Sequence, residues 1–200
     1  MAPTAPVLHY QRDPAPMLER VLHEWGGRRD LWVFAYASLI WRPDFDVAES
    51  RLAQVHGWHR ALKMWSRVNR GTPQRPGLVF ALLSGGSCRG TVLRARAHHA
   101  HEVLDKLWHR EMVNGVYDPR WLNCNTPLGP VRALAFTLSR RSPAFTGDLS
   151  PARYRQILAE SHGRYGSTLD YAEQTLHGLR RHGIEDAALR HLLRLADDQP

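Results

Sequence analysis

The sequence predicts one domain of the α+β class, and three observations lead to this prediction. The chain has 200 residues, and one domain typically takes about 100–200 residues. Strand-like segments occupy most of the chain before residue 150, whereas helical patterns gather mainly after it. No internal repeat or low-complexity linker divides the chain. This segregation is typical of α+β proteins and not of the strict alternation that builds a parallel sheet.

The N-terminal part of the chain predicts an extension followed by a helix. Residues 1–16 are rich in proline and are expected to be only partly ordered, so the domain proper covers residues 17–200. Apolar residues then recur at helical spacing until Gly26 and Gly27 end the pattern. They are Met17, Val21, Leu22 and Trp25.

The next segment, LWVFAYASLIW (residues 31–41), predicts one buried strand. Its Val, Phe, Tyr and Trp side chains favour strands. The tripeptide Arg42-Pro43-Asp44 predicts the turn that closes it.

Three further segments have strand character. Residues 51–66 alternate well enough for a long strand in which Gly57 is a candidate bulge. Residues 77–97 predict a β-hairpin that turns at Ser-Gly-Gly-Ser, residues 84–87. Residues 131–139 predict one more strand.

Helical periodicity returns at residues 98–110 and again after residue 150. The apolar positions of the first segment are Val103, Leu104, Leu107 and Trp108. Ser150 followed by Pro151 predicts the N-terminal cap of the next helix. Two more helices are expected, one that ends near Gly183 and one over residues 186–196.

The chain is basic, with 27 Lys and Arg against 19 Asp and Glu and a net charge of +8. Such a charge permits contact with nucleic acid or a membrane surface and also suits an anionic small substrate. The arginines are scattered, and no Lys/Arg-rich block is present. We therefore expect a small-molecule substrate and neither a nucleic-acid nor a membrane partner. A basic nucleic-acid or membrane-surface binding module is the alternative from a different class.

The N-terminus and the cysteines bear on the compartment. The first residues carry Pro, charge and His where a secretory signal needs an apolar region. No apolar run approaches the roughly 18–20 residues of a membrane span. Cys88 and Cys124 are isolated and lack the spacing of a disulfide framework or a zinc ribbon. We expect a cytoplasmic protein with two reduced thiols.

The trio Tyr36, Ala37 and Ser38 interrupts the apolar segment with small and polar residues. A strand that ends in small residues leaves successive backbone N–H groups free of the ladder, and such a nest binds a carboxylate. The alternative is an ordinary strand in which the three side chains occupy alternate faces.

Glu111 is a candidate general base. It follows an apolar helical run that contains Leu107 and Trp108, and apolar surroundings disfavour the charged form of a carboxyl group and raise its pKa. A surface Glu paired with Arg110 is the alternative interpretation. Tyr117, beyond a turn at Gly115, could bring a phenol hydroxyl into the same cleft.

Two polar segments were weighed as ligand sites. The loop RVNRGTPQRPG (residues 67–77) contains Arg70 and two other arginines, so it suits an anion site or a plain surface loop. The segment HHAH (residues 98–101) lacks an acidic or Cys ligand at a zinc-like spacing. We expect no metal. No nucleophile elbow, phosphate-binding glycine loop or dinucleotide motif is present.

Four motifs in one order resemble those of a known family. They are FAYASLIWRPDF, VHGWHRALKMWS, NRGTPQRPG and REMVNGVY, and the C-terminal helical segment from residue 165 resembles the family's end. These segments are similar to the glutathione-specific γ-glutamylcyclotransferases, the ChaC-like proteins, over about residues 31–195.

The resemblance implies a small distorted mixed β-barrel with flanking helices and C-terminal helices. It implies conversion of glutathione to 5-oxoproline and Cys-Gly without metal or cofactor. By this resemblance Glu111 is the acid/base, and the loop with Ala37 binds the γ-glutamyl carboxylate. The other substrate-binding residues that it implies are Tyr36, Ser38, Leu39, Tyr117 and Arg70. Another γ-glutamyl amine or amino acid is the alternative substrate.

One position departs from the family pattern. The family has glycine where this chain has Ala37. Because a positive φ is costly for alanine, we predict that Ala37 lies at negative φ.

Overall fold

Five strands close into a barrel in the computed structural model, which describes residues 11–197. The strands are β1 (Leu31–Ala35), β2 (Glu49–Ser66), β3 (Gly77–Ala95), β4 (Asp118–Thr126) and β5 (Gly129–Thr137). Their order around the barrel is β1-β3-β2-β4-β5. A parallel bridge from Val33 in β1 to Leu134 in β5 completes the ring, and the other neighbours are antiparallel. The mixed barrel expected from the family resemblance is confirmed.

The predicted hairpin at residues 84–87 is wrong, because β3 is one continuous strand. It pairs with β2 on both sides of these residues, so that Ser84 faces Trp58 and Ser87 faces His56. The register shifts at Gly57, which has a φ of 79° and confirms the predicted bulge. Gly85 and Gly86 also have positive φ. The glycines of both strands therefore bend the two-stranded ribbon and do not reverse the chain.

The segment at residues 31–41 also differs from its prediction, since β1 ends at Ala35 and a short helix follows. Helix α2 (Ser38–Trp41) forms a bond from the Arg42 N–H to the Ser38 carbonyl oxygen at 2.8 Å. Ala37 separates strand from helix with φ −144° and ψ −119°. The run of strand-forming residues concealed this change, which depends on tertiary packing of α2 against a later helix.

Sequence analysis missed strand β4. Its second residue is Pro119, which suits the start of a strand but weakens a strand pattern. The strand is fixed by pairing with β5 along its whole length, from Asp118 opposite Thr137 to Thr126 opposite Gly129.

Helices cover two sides of the barrel. They are α1 (Ala15–Trp25), α3 (Ala100–Glu111), α4 (Pro151–Glu160), α5 (Thr168–Arg181) and α6 (Ala187–Asp197). Each was predicted from the sequence, including the end of α1 at Gly26 and the cap of α4, where Ser150 accepts from the Arg153 N–H. A two-stranded hairpin, β6 (His162–Gly163) and β7 (Gly166–Ser167), joins α4 to α5.

Two apolar clusters form the core. One packs α1 and α3 against the barrel, and the other packs α4, α5 and α6 against it. Cys88 and Cys124 are buried free thiols. In the part of the chain that the structure describes, no helix is long and apolar enough to cross a bilayer.

The predicted N-terminal extension, residues 1–16, falls largely outside the described residues, since residues 1–10 are not described. Beyond them, Arg12 donates to Asp118 at 2.7 Å and to the Gly115 carbonyl oxygen at 2.8 Å. Helix α1 begins at Ala15. The last residues assigned to the extension thus contact the barrel.

Candidate active site

A narrow cavity lies where the end of β1, the end of α3 and the first half of α5 meet. Its volume is only about 20 Å³. Its lining residues are Tyr36, Ala37, Ser38, Leu39, Phe80, Glu111, Tyr117, Phe136 and Tyr171. Six of these were candidate site residues in the sequence, and the fold brings all six together.

The loop from β1 to α2 forms one wall of the cavity. Tyr36 is fixed at both ends, because its hydroxyl donates to the Phe136 carbonyl oxygen at 2.9 Å and its carbonyl oxygen accepts from Arg60 at 2.9 Å. Ser38 and Leu39 open helix α2, and the first N–H groups of a helix have no partner within it. The φ of Ala37 is negative, as predicted. Backbone donors thus lie beside small side chains at the cavity.

Glu111 is the last residue of α3, and its side chain is only 16% exposed. Burial raises the pKa of Glu111, while the guanidinium of Arg110, 3.1 Å from its carboxylate, opposes part of that rise. The structure combines features of both interpretations of Glu111. Its carboxylate is paired with Arg110, as in the surface interpretation, and it is largely buried, as in the general-base interpretation. A carboxyl group with a raised pKa is suited to accept and return a proton.

Three tyrosines surround Glu111. Burial, followed by the negative charge of Glu111 or of neighbouring phenols, raises the pKa of Tyr36 and of Tyr117. Burial likewise raises the pKa of Tyr171, whose hydroxyl oxygen accepts from the Phe80 N–H at 3.3 Å. All three therefore remain protonated at neutral pH, and their hydroxyl groups can act as donors.

Three further residues line the cavity that the sequence does not predict there: Phe80, Phe136 and Tyr171. Tyr171 was placed on an apolar helix face, and the two phenylalanines lie within predicted strands. Their only local signal is apolar character, which buried core residues share. Their place at the cavity follows from the closure of the barrel and the docking of α5.

Arg70 does not line the cavity but lies directly behind it. Its guanidinium donates to the Tyr165 carbonyl oxygen and lies 4.9 Å from the centre of the Tyr171 ring. The loop that carries it packs too closely for side chains, because a Cβ on Gly71 would lie 2.1 Å from the Gly77 nitrogen. The structure thus places Arg70 against the wall formed by Tyr171, and its direct contact with substrate stays a prediction.

The histidines at residues 98–101 lie at the opposite end of α3 from Glu111, about 15 Å away along the helix. Among residues 11–197, no cluster of three His, Cys, Asp or Glu side chains could hold a metal ion. The polar groups that line the cavity are the Glu111 carboxylate, phenol hydroxyls, the Ser38 hydroxyl and backbone N–H groups.

The small mixed barrel, with a largely buried carboxylate in its cavity, places this protein in the α+β class. The family described as ChaC-like protein matches residues 31–199. The chain belongs to this family, as its motifs predicted.

Curated relatives agree with this assignment. The glutathione-specific gamma-glutamylcyclotransferase of Escherichia coli strain K12 is 32% identical over 164 residues, covering 82% of this chain and 71% of the relative. The human glutathione-specific gamma-glutamylcyclotransferase 1 is 33% identical over 152 residues, covering 73% of this chain and 68% of the relative.

A solved structure shares the fold. The crystal structure of a gamma-glutamyl cyclotransferase specific to glutathione from yeast superposes with a TM-score of 0.77. It covers 84% of this chain and 96% of the yeast chain at 22% sequence identity. At this identity the similarity establishes the architecture.

Proposed function

We propose that this protein is a γ-glutamylcyclotransferase that converts glutathione to 5-oxoproline and Cys-Gly, with Glu111 as the acid/base. The observation that carries the proposal is a buried carboxylate of raised pKa facing free backbone donors, in a chain of the ChaC-like family. The names of the curated relatives support glutathione as the substrate.

The γ-glutamyl end of the substrate enters the cavity in this proposal. Its α-carboxylate accepts hydrogen bonds from backbone N–H groups at Ser38 and Leu39, where a helix begins. Tyr36 and Tyr117 border the substrate, and the small side chain of Ala37 permits close approach to the backbone. Arg70 contributes to binding through Tyr171, against which it packs.

The reaction is an intramolecular aminolysis. The α-nitrogen attacks the γ-carbonyl carbon of the same residue, and the closure of a five-membered ring benefits strongly from proximity. The bond from that carbon to the cysteine nitrogen then breaks. Two protons leave the α-nitrogen and two arrive on the cysteine nitrogen, so no oxidant or reductant is needed.

Glu111 transfers the proton in both directions. The α-ammonium has no lone pair, so the ionised carboxylate must first accept a proton from it. The protonated carboxyl group then returns a proton to the departing cysteine nitrogen. Because burial raises the pKa of Glu111, its carboxyl group is better matched to both steps than an exposed glutamate would be.

The oxyanion that forms on the γ-carbonyl needs a hydrogen-bond donor. Tyr117 and Tyr171 are protonated phenols at the cavity, and their hydroxyl groups can serve as donors to this oxyanion. Backbone N–H groups of the β1–α2 loop are the other source of donors. Phe80 and Phe136 add apolar surface that excludes water from the reacting atoms.

Incubation of the purified protein with reduced glutathione tests the proposal. We expect proton NMR to show 5-oxoproline and Cys-Gly appearing in equal amounts, and glutathione acylated on its α-nitrogen to remain intact. Release of free glutamate would indicate hydrolysis and contradict the proposal.

A substrate series tests the choice of glutathione. We expect kcat/KM for glutathione to exceed that for γ-Glu-Ala by more than about tenfold, equivalent to about 1.4 kcal/mol. Equal values would assign the activity to γ-glutamyl substrates in general. If none of the compounds yields 5-oxoproline, the assignment of activity fails.

A further inference from the structure

The guanidinium of Arg110 connects the candidate base to the candidate binding loop. Its Nε atom faces the carboxylate of Glu111 at 3.1 Å, and its Nη2 donates to the hydroxyl of Ser38 at 2.9 Å. Its Nη1 donates to the Arg42 carbonyl oxygen at 2.6 Å and to the carboxylate of Asp44 at 2.5 Å. One planar cation therefore holds groups from α3, from the start of α2 and from the turn after α2.

Asp44 has an unfavourable backbone conformation. Its φ is 60°, and it is the one non-glycine residue with positive φ in the part of the chain that the structure describes. This region is unfavourable for an L-residue, and least so for Asp and Asn. The conformation directs the carboxylate toward two guanidinium groups, those of Arg42 at 3.1 Å and Arg110. Strain that orients a side chain toward a site is typical of functional positions.

Two carboxylates thus share the Arg110 cation. Asp44 lies on one side of the guanidinium and Glu111 on the other. Arg110 lowers the pKa of Glu111, and Asp44 acts in the opposite direction by its negative charge. Asp44 therefore offsets part of the positive charge that Glu111 experiences.

Other titratable groups lie near this pair. The phenols of Tyr36, Tyr117 and Tyr171 face Glu111 from β1, from the segment before β4 and from α5. A shallow groove beside Asp44 and Arg110 is lined by side chains of α3. These are Glu102, Asp105, Lys106 and His109.

We propose that Asp44 and Arg110 form a positioning pair that holds Ser38 beside Glu111 and sets the pH range over which Glu111 is ionised. The inference rests on the acid/base role of Glu111 in the proposed function. It assigns a role to Asp44, which does not line the cavity and which acts through Arg110 and through its own negative charge. Neither residue contacts the reacting atoms in this scheme.

Opposite changes of charge should move the ionisation of Glu111 in opposite directions. In Asp44→Asn the Arg110 cation faces Glu111 without a competing carboxylate, so Glu111 ionises at lower pH. In Arg110→Gln the cation is lost, so Glu111 ionises at higher pH. A shift of about half a pH unit or more is expected for each, given charges within one network at a partly exposed site.

The acid limb of the pH profile of kcat/KM is the first measurement, because it reports ionisation of the free enzyme. We expect this limb to move to lower pH in Asp44→Asn and to higher pH in Arg110→Gln. Asp44→Gly removes the carboxylate and also places a glycine at the positive φ. If the carboxylate sets the ionisation of Glu111, this variant should shift the limb in the same direction as Asp44→Asn. His109→Gln, in the same groove, is the matched control and should leave the limb unchanged. Shifts in the same direction, or no shift, would overturn the proposal.

Direct titration of Glu111 keeps the test independent of turnover. Carbon-13 NMR of protein labelled at the glutamate side-chain carboxyl follows each ionisation, and Glu111→Gln identifies the resonance that disappears. We expect the titration midpoint to move downward in Asp44→Asn and upward in Arg110→Gln. If the wild type forms no 5-oxoproline, the proposed function fails, while these midpoints still decide whether the pair sets the ionisation of Glu111. Unchanged midpoints refute the pairing even in an active enzyme.

Discussion

Among single residues, Glu111 is the one whose burial determines its proposed role as acid/base. Helix α3 ends at Glu111, and the side chain of this residue lines the cavity. Burial acts against the charge, and Arg110 only partly compensates. The same environment that makes the carboxyl group a proton carrier should therefore destabilise the folded chain when that group is ionised.

This environment predicts how stability depends on pH. The raised pKa of Glu111 in the folded state means that its protonation contributes stability. That contribution is complete below the unfolded pKa and is lost as the pH rises through the folded pKa. Because glutamine stays neutral, Glu111→Gln should gain stability relative to the wild type as the pH rises from about 4, the unfolded pKa of glutamate, through the folded pKa of Glu111. Urea unfolding at several pH values measures this difference, and a variant that loses relative stability as the pH rises would contradict it.

Ala37 gives a second prediction at this scale. Its φ of −144° is available to alanine, and its side chain is buried at the cavity wall. Ala37→Gly should therefore change KM by no more than about threefold, which corresponds to less than about 0.7 kcal/mol. Ala37→Val is the matched variant and should raise KM by about tenfold or more, since it fills a narrow cavity. A large improvement in KM in the glycine variant would show that alanine strains the loop.

At the scale of elements, a buried ion pair connects the cavity wall to the C-terminal helices. Arg60 in β2 is 5% exposed and donates to the carboxylate of Asp186 at 2.6 Å and 3.0 Å. It also donates to the carbonyl oxygens of Tyr36 and Arg89. Asp186 in turn accepts from the Leu189 N–H at the start of α6. Arg60 thus holds the end of β1, strand β3 and α6 together.

Removal of one partner of this pair should be costly. Arg60→Met leaves the Asp186 carboxylate and two carbonyl oxygens without their donor, so we expect a loss of about 3–5 kcal/mol in the free energy of unfolding. In the double variant with Asp186→Asn, which keeps an oxygen to cap α6, part of the loss should be recovered. Denaturant unfolding of the four proteins in this cycle measures the coupling. Strictly additive losses would show that the pair does not act as a unit.

The elements also show which parts of the fold the sequence could predict. The end of α1 at Gly26 and the cap of α4 at Ser150 were found because the causes are local: a left-handed glycine and a side-chain oxygen next to the helix. The continuous course of β3 was not predicted, because Gly85 and Gly86 look like a turn in the sequence. In the structure they lie opposite the bulge at Gly57 of β2, which the local sequence of β3 does not show. The start of α2 was not predicted, because its residues have strand propensity and become helical only where α2 packs against α5.

At the scale of the whole molecule, barrel closure assembles the site from distant segments. The motif-bearing residues, from Tyr36 to Leu39 together with Glu111 and Tyr117, were recognisable before the structure. Phe80, Phe136 and Tyr171 come from two strands and a C-terminal helix whose apolar residues otherwise form core. No local pattern separates a lining residue from a core residue on such elements, so their role depends on the packed molecule.

If Glu111 carries the proton in an intramolecular aminolysis, turnover should depend on its ability to ionise. The rate of 5-oxoproline formation from glutathione is compared between the wild type and Glu111→Gln, with the unfolding midpoints of both recorded to confirm folding. Glutamine nearly preserves the shape of the side chain but cannot accept the proton, so we predict a loss of about 100-fold or more. Residual activity within about tenfold of the wild type, in a folded variant, would contradict the account.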